Sequence, residues 1–434
     1  MLSSLELHGV GPADEMAFEF GERLNVFTGD NGVGKSFVLD VIWWTRTGNW
    51  PGRPAMPNAG GTAHIRVQGR RPLPSPGQAG MEAQYDYGAT RWKASHVHGY
   101  GPMGPVVYST SDGFLVFDPY RNHYPQPFDP DPPSPGVVEV FKFTPDKVWD
   151  GLLHGEKPLC NGLIRDWVSW MRSVPLRESW GLDTGSEIVP YNILKDVLRH
   201  LSDPDEPLEP GPAFPMFTDD ARDIPTIRNP WGGEHIPVVH ASAAVRRILM
   251  FAYLLTWSWY EHVRFARIRR AEPLKQICLL IDEVEMHLHP RWQRRICSAI
   301  LDVARILDPE MKVQIFCTTH SPLVLASLET HVDRSRDRLF NFDTRTGKVV
   351  IEELEWVKHG DATGWLTSPA FDLEQAGSLE AEQAVRWAED FLHGRLDQIP
   401  EHLRSRDALE RELVRVLAAS DPFWVSWPRR KDVP

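Results

Sequence analysis

The chain has 434 residues, 42% of them hydrophobic, and a formal net charge of −12. That length can bury one large core or two moderate ones, and the acidic balance argues against a body that grips nucleic acid over its whole surface. No run of about eighteen apolar residues occurs, so no membrane-spanning helix is expected.

The opening segment, MLSSLELHGVG, lacks a basic stretch followed by an apolar one and does not read as a secretory signal. Leu5–Val10 and Met16–Phe20 alternate as strands do, and Leu24–Phe27 is an apolar strand ending in a glycine-rich turn. From Ser36 the run FVLDVIWW reads as a helix that is apolar on most of its surface. Residues 1–50 are therefore expected to form the N-terminal lobe of a strand–loop–helix head. From Pro51 to about Pro135, prolines and glycines separate strand-like pieces at His64–Val67, Ala83–Tyr87, Val106–Tyr108 and Phe114–Phe117. Residues 146–201 read as helical, with Trp167 and Trp170 as core, and an acidic, proline-rich link follows from Asp203 to Pro215. The whole of 51–235 is expected to be a β-rich and helical insertion.

Ser242 is placed to cap a long helix reaching about Arg267, and its stretch ILMFAYLLTWSWY is apolar on every face, so burial is expected. Ile277–Ile281 is a continuous apolar run of the kind found in a parallel strand covered on both sides. Pro290 opens a helix where proline is favoured, and Val313–Cys317 is the next buried strand. The four cysteines, Cys160, Cys278, Cys297 and Cys317, are too few for a disulfide framework. A reduced, cytoplasmic setting is expected. Apolar strands alternating with helices predict an α/β fold with a mainly parallel sheet, residues 236–350 completing the head and 351–434 forming a small, mostly helical extension.

Three segments carry chemistry. Gly29-Asp30-Asn31-Gly32-Val33-Gly34-Lys35-Ser36 fits G-x-x-x-x-G-K-[ST] in a strand–loop–helix context. Its glycines let backbone N–H groups curl around phosphates, with Lys35 reaching the β/γ-phosphates of ATP and the Ser36 hydroxyl coordinating Mg²⁺. Asp282 and Glu283 follow an apolar strand directly. Asp282 is placed to hold Mg²⁺ through water, and Glu283 to orient and deprotonate the attacking water. Thr318-Thr319-His320-Ser321-Pro322 ends the second strand, where His320 can hydrogen-bond a γ-phosphate.

Together GDNGVGKS, LLIDEVEMHLHP and TTHSP resemble the heads of ABC-type ATPases, above all the soluble branch shared by SMC, RecF-like and OLD-family proteins. Further runs, VVHASAAVRRILMFAYLLTWSW, CNGLIRDWVSW, GDATGWLTSPAFDL, SLEAEQA and DPFW, resemble bacterial "AAA family" ATPases of anti-phage cassettes, of the Septu kind. The resemblance implies a homo-oligomer, at least a dimer, with each ATP sandwiched between one subunit's phosphate loop and the other's signature segment at Ser242. One departure stands out: Ala243 and Ala244 follow Ser242 where glycines are usual, and Arg246 and Arg247 lie one turn on, where they would supply positive charge. No glutamine loop is assignable.

Glu285, His287 and His289 lack a complete zinc ligand set, and Arg291, Arg294 and Arg295 read as the wet face of a helix. Phe423, Trp424 and Trp427 read either as exposed aromatics suited to an interface or as aromatics that pack back onto the head. The function implied is a slow ATPase that regulates a defence system through a separate effector, such as an HNH-type nuclease. A RecF-like DNA clamp and a non-catalytic ATP-gated scaffold are the alternatives. The first is disfavoured by the acidic charge and the absence of long heptads, the second by the intact Lys35, Asp282, Glu283 and His320.

Overall fold

The computed structural model describes residues 1–58, 61–70, 78–97, 104–123, 138–179, 189–228, 235–375 and 377–427. The alternating N-terminal runs form β1 (Leu2–His8) and β2 (Glu15–Glu19), and the apolar run forms β3 (Leu24–Gly29). Helix α1 (Lys35–Thr47) starts at Gly34 and stops at Gly48, both in the left-handed region, the Gly48 N–H closing the end on Trp44 O. Then come β4 (His64–Arg70), β5 (Gln78–Asp86), β6 (Arg91–Val97), β7 (Val106–Ser109), β8 (Phe114–Phe117) and β9 (Phe141–Phe143). The stretch read as helical holds α2 (Pro145–Asp150), α3 (Leu163–Ser179) and α4 (Pro190–Leu201), but a hairpin of β10 (Leu152–His154) and β11 (Lys157–Cys160) interrupts it. The link beyond it contains β12 (Pro210–Pro215), which pairs with β13 (Asp223–Arg228), itself paired to β14 (His235–Pro237).

Helix α5 (Ala243–Ile268) is buried from Phe251 through Trp259, as an all-apolar stretch must be. It is followed by β15 (Gln276–Ile281), α6 (Pro290–Leu307), β16 (Lys312–Thr318), α7 (Pro322–Leu328), β17 (Asp337–Arg345) and β18 (Lys348–Leu354). The main sheet has the order β18-β17-β3-β16-β15-β7-β8-β9. Its five central strands, β17 to β7, are parallel, and antiparallel strands extend both edges. The fold is thus α/β with a mainly parallel sheet. Strands β7, β8 and β9 come from the stretch expected as an insertion, yet they pair into the same sheet as the phosphate-loop strand.

A second, antiparallel sheet, β2-β1-β4-β5-β6, shares one core with the main sheet and α1. Phe18 on β2 meets Phe340 on β17 with ring centroids 5.3 Å apart, and Phe20 just beyond β2 meets Phe316 on β16 at 4.9 Å. No helix among the described residues is long and apolar enough to cross a membrane.

The chain divides into two compact units, Met1–Gly360 and Asp361–Pro434. The smaller one holds α8 (Ala362–Leu366), α9 (Leu379–Leu392), α10 (Arg406–Val416) and α11 (Phe423–Ser426). Its core joins Ala384, Val385 and Ala388 of α9 to Leu409 and Leu413 of α10. Of the two expectations for the aromatics near the end, exposure is set aside: Trp427 is fully buried, 5.9 Å from the Phe391 ring, while Phe423 and Trp424 pack partly buried against this unit's own core. Aromatic area that large stabilises a small unit more by packing inward than by waiting at its surface.

Candidate functional site

Strand β3 ends in a turn that only glycine can make at two places. Gly29 (φ 122°) and Gly34 (φ 98°) are both left-handed. A Cβ on Gly29 would fall 1.9 Å from Phe342 O, and one on Gly34 would fall 2.4 Å from Pro12 Cγ. Between them Asp30, Asn31 and Gly32 are exposed while Val33 is buried, which pins the loop to the core and leaves its rim open. Lys35 folds back into this loop, its Nζ donating to Gly29 O at 2.9 Å and Asp30 O at 2.5 Å. Burial pushes its ammonium down to about 8, against the opposing pull of Asp282 and Asp30.

The parallel register of β15 on β16 places Ile281 beside Cys317, so Asp282 emerges next to Thr318. Asp282 is buried, and its Oδ1 accepts from Ser36 Oγ at 2.9 Å and Thr318 Oγ1 at 2.8 Å. Thr318 Oγ1 in turn accepts from Glu283 N–H at 2.7 Å. Three elements, α1, β15 and β16, therefore meet on one carboxylate. Glu283 sits at φ 49°, a strained value for a non-glycine residue, and is half-buried. Ser36 and Asp282 bring hard oxygen donors together, the kind that suit Mg²⁺ when phosphates and waters complete its shell.

The sequence reading missed Glu285. Its Oε2 accepts from Thr319 Oγ1 at 2.7 Å and its Oε1 from the His320 N–H at 2.6 Å, so it ties the acidic loop to the end of β16. Only the strand register makes this acid differ from any solvated one. His320 is pushed below the ordinary histidine value by burial first and by the Lys35 charge second, so Lys35 and His320 bear on the same space.

The α5 terminus is different. Ser242 caps it, its Oγ accepting from Val245 N–H at 3.3 Å, and both Ser242 and Ala243 are exposed. Of the two arginines expected to supply positive charge here, Arg246 is exposed, whereas Arg247 turns into its own chain. Its Nη2 donates to Ser109 Oγ (3.2 Å), Asp282 O (3.4 Å) and Thr110 O (3.5 Å).

Residues 248–326 match a family described as "AAA domain, putative AbiEii toxin, Type IV TA system". This span contains Asp282, Glu283, Glu285 and His320. The chain is 35% identical over 95 residues to the Septu protein PtuA of Bacillus mycoides (strain KBAB4). It is 40% identical over 50 residues to the retron Vc95 probable ATPase of Vibrio cholerae serotype O1 biovar El Tor. The likeness to AAA-type ATPases of the Septu kind is borne out over these stretches. These matches cover 22% and 12% of this chain, and only 12% and 9% of the respective relatives. Among solved structures, an SMC head bound to the C-terminal winged-helix domain of ScpA is 14% identical, with a TM-score of 0.42, covering 82% of this chain and 98% of that one. RecF bound to ATP is 13% identical, with a TM-score of 0.37, covering 81% and 97%.

Proposed function

We propose that this chain binds ATP with Mg²⁺ and hydrolyses it slowly, as the regulatory ATPase of a bacterial defence system that acts through a separate effector. The observation that carries the reading is the convergence of Ser36 and Thr318 on one carboxylate oxygen of Asp282, beside a loop whose lysine is held inward.

In this reading the loop from Gly29 to Ser36, by way of Asp30, Asn31, Gly32, Val33 and Gly34, wraps the phosphates. Lys35 exchanges its two loop carbonyls for phosphate oxygens. Ser36 and Asp282 hold the cation, which when bound neutralises charge on the β/γ-phosphates. Glu283 would take the proton of the attacking water, and His320 would hydrogen-bond the γ-phosphate. Ser242 serves a neighbour's nucleotide, so the working unit is a homodimer or larger. Residues 51–235 and 351–434 then offer surfaces for the effector, a nuclease being the leading class. The cytoplasm supplies both ATP and the reducing setting that four free, buried cysteines suit.

The test is phosphate release by the purified chain with ATP and Mg²⁺, run beside Lys35→Ala. Equal release by both proteins, each shown to be folded, would sink the reading.

A further inference from the structure

The helix that begins at the phosphate loop carries one more charged group toward the cation position. Asp40 lies four residues after Ser36 on α1, so the two share a face, one turn apart. Its neighbours Val38, Leu39, Val41, Ile42 and Trp43 are all buried and apolar. Asp40 is thus a carboxylate set into an otherwise apolar stretch, and burial followed by the nearby Asp282 charge pushes it up to about 6. An acid in such a place costs stability unless something cationic or hydrogen-bonding compensates it.

Its protein partner comes from across the sheet. Strand β7 pairs with β15 in parallel, Tyr108 beside Leu280 and Ser109 beside Ile281, so the end of β7 lies next to Asp282. Tyr108 is 1% exposed, and its hydroxyl donates to Asp40 Oδ1 at 2.9 Å. A carboxylate has about four lone-pair positions, and this bond uses one. Ser36, Asp40, Tyr108 and Asp282 all line one open cavity of about 430 Å³, room enough for several water molecules. The other charged groups on that cavity, Asp112, Lys142 and Lys147, are exposed, and Asp112 accepts from Thr110 Oγ1 instead.

We propose that Asp40, oriented by Tyr108, is a positioning residue that accepts hydrogen bonds from water on the divalent cation held by Ser36 and Asp282. This rests on the ATPase reading and adds a residue to it. Outer-shell acceptors of this kind fix the orientation of a cation's waters, and losing one typically weakens metal binding about 10–100-fold. Cation binding also lifts the penalty on the Asp40 charge, so the two are coupled.

The experiment uses the full chain with a non-hydrolysable ATP analogue and reads Mn²⁺ binding by electron paramagnetic resonance, with nucleotide affinity measured separately in EDTA. Asp40→Asn keeps the size of the side chain and an acceptor for Tyr108 but removes the charge. It should bind the analogue as the wild type does in EDTA, and bind Mn²⁺ at least about tenfold more weakly. Tyr108→Phe should move Mn²⁺ affinity in the same direction by less, and it provides the readout if Asp40→Asn fails to fold. Asp112→Asn, on the same cavity, should change neither measurement. Mn²⁺ affinity within twofold of wild type in a folded Asp40→Asn, or in Tyr108→Phe where that variant stands in, overturns the proposal, as does an equal loss in Asp112→Asn. A wild type that binds no Mn²⁺ with the analogue fails the ATPase reading itself, a separate result.

Discussion

The edge of the sheet and the start of α5 are both part of the proposed ATP site, but they are built in opposite ways. At the sheet edge, Ser36 and Thr318 donate to Asp282, the Glu283 amide donates to Thr318, each within about 3 Å, and Glu285 clamps the following strand end. At the start of α5, the Ser242 side chain bonds to the N–H of Val245 in its own first turn and faces solvent, while the middle of the helix, Phe251 to Trp259, is buried. A helix N-terminus presents unpaired N–H groups and the positive end of a dipole, a surface that favours an anion. In the proposed arrangement, one region is assembled within a single chain, and the other acts on a nucleotide brought by a second chain.

The strongest way to break the sheet-edge half is Glu283→Gln. An amide can orient water but cannot accept its proton, so turnover should fall about 10²–10⁴-fold with ATP affinity kept. Turnover at the wild-type rate, measured by phosphate release, would remove Glu283 from the role of base. Next comes Lys35→Ala, which takes away the main cationic partner of the phosphates. ATP affinity by calorimetry should drop at least about 30-fold, the scale of one or two charged hydrogen bonds. Retained affinity in a folded protein would count against the loop as the phosphate site.

The open half is tested by mixing. Lys35→Ala and Ser242→Arg proteins should each be nearly inactive alone, because every site in either homodimer has one damaged half. A mixed dimer regains one intact composite site, so activity should recover in the mixture. No recovery, with mixed dimers demonstrated by mass, would break the contrast by showing that Ser242 does not act across an interface.

The smallest expected effect is on pH. Burial holds Lys35 at about 8 in the free protein, and phosphates favour its charged form. The affinity for ATP should therefore be full below pH 8 and fall above it, by up to about tenfold per unit, since a single proton is linked. Calorimetry near pH 8 in buffers of different ionisation enthalpy should show proton uptake on binding. Affinity that is flat from pH 7 to 9 would mean that Lys35 stays charged without a nucleotide.

Much of the sheet-edge site was legible because it is local. The glycine spacing, the lysine–serine pair and the acids after an apolar run each sit within a few residues, and each needs only its own strand or turn. The long α5 helix and its serine cap were legible for the same reason. Glu285 was not, because its partners Thr319 and His320 lie more than thirty residues away and only the β15–β16 register aligns them. Arg247 could not be told from Arg246 either, since facing solvent or the β7 edge depends on a strand that the sequence placed in an insertion.

By itself, then, the sequence determined which segments are strands and helices around the nucleotide loop, and which residue types stand at their ends. Hydrophobic periodicity and glycine's backbone freedom act over a few residues and leave a local trace. Only the tertiary structure decided that β7 lies beside β15, that Tyr108 meets Asp40, and that Trp427 turns into the C-terminal core. Those outcomes depend on which distant surfaces bury each other. Burial free energy follows the area removed from water, not the distance along the chain, so the sequence carries no local mark of it.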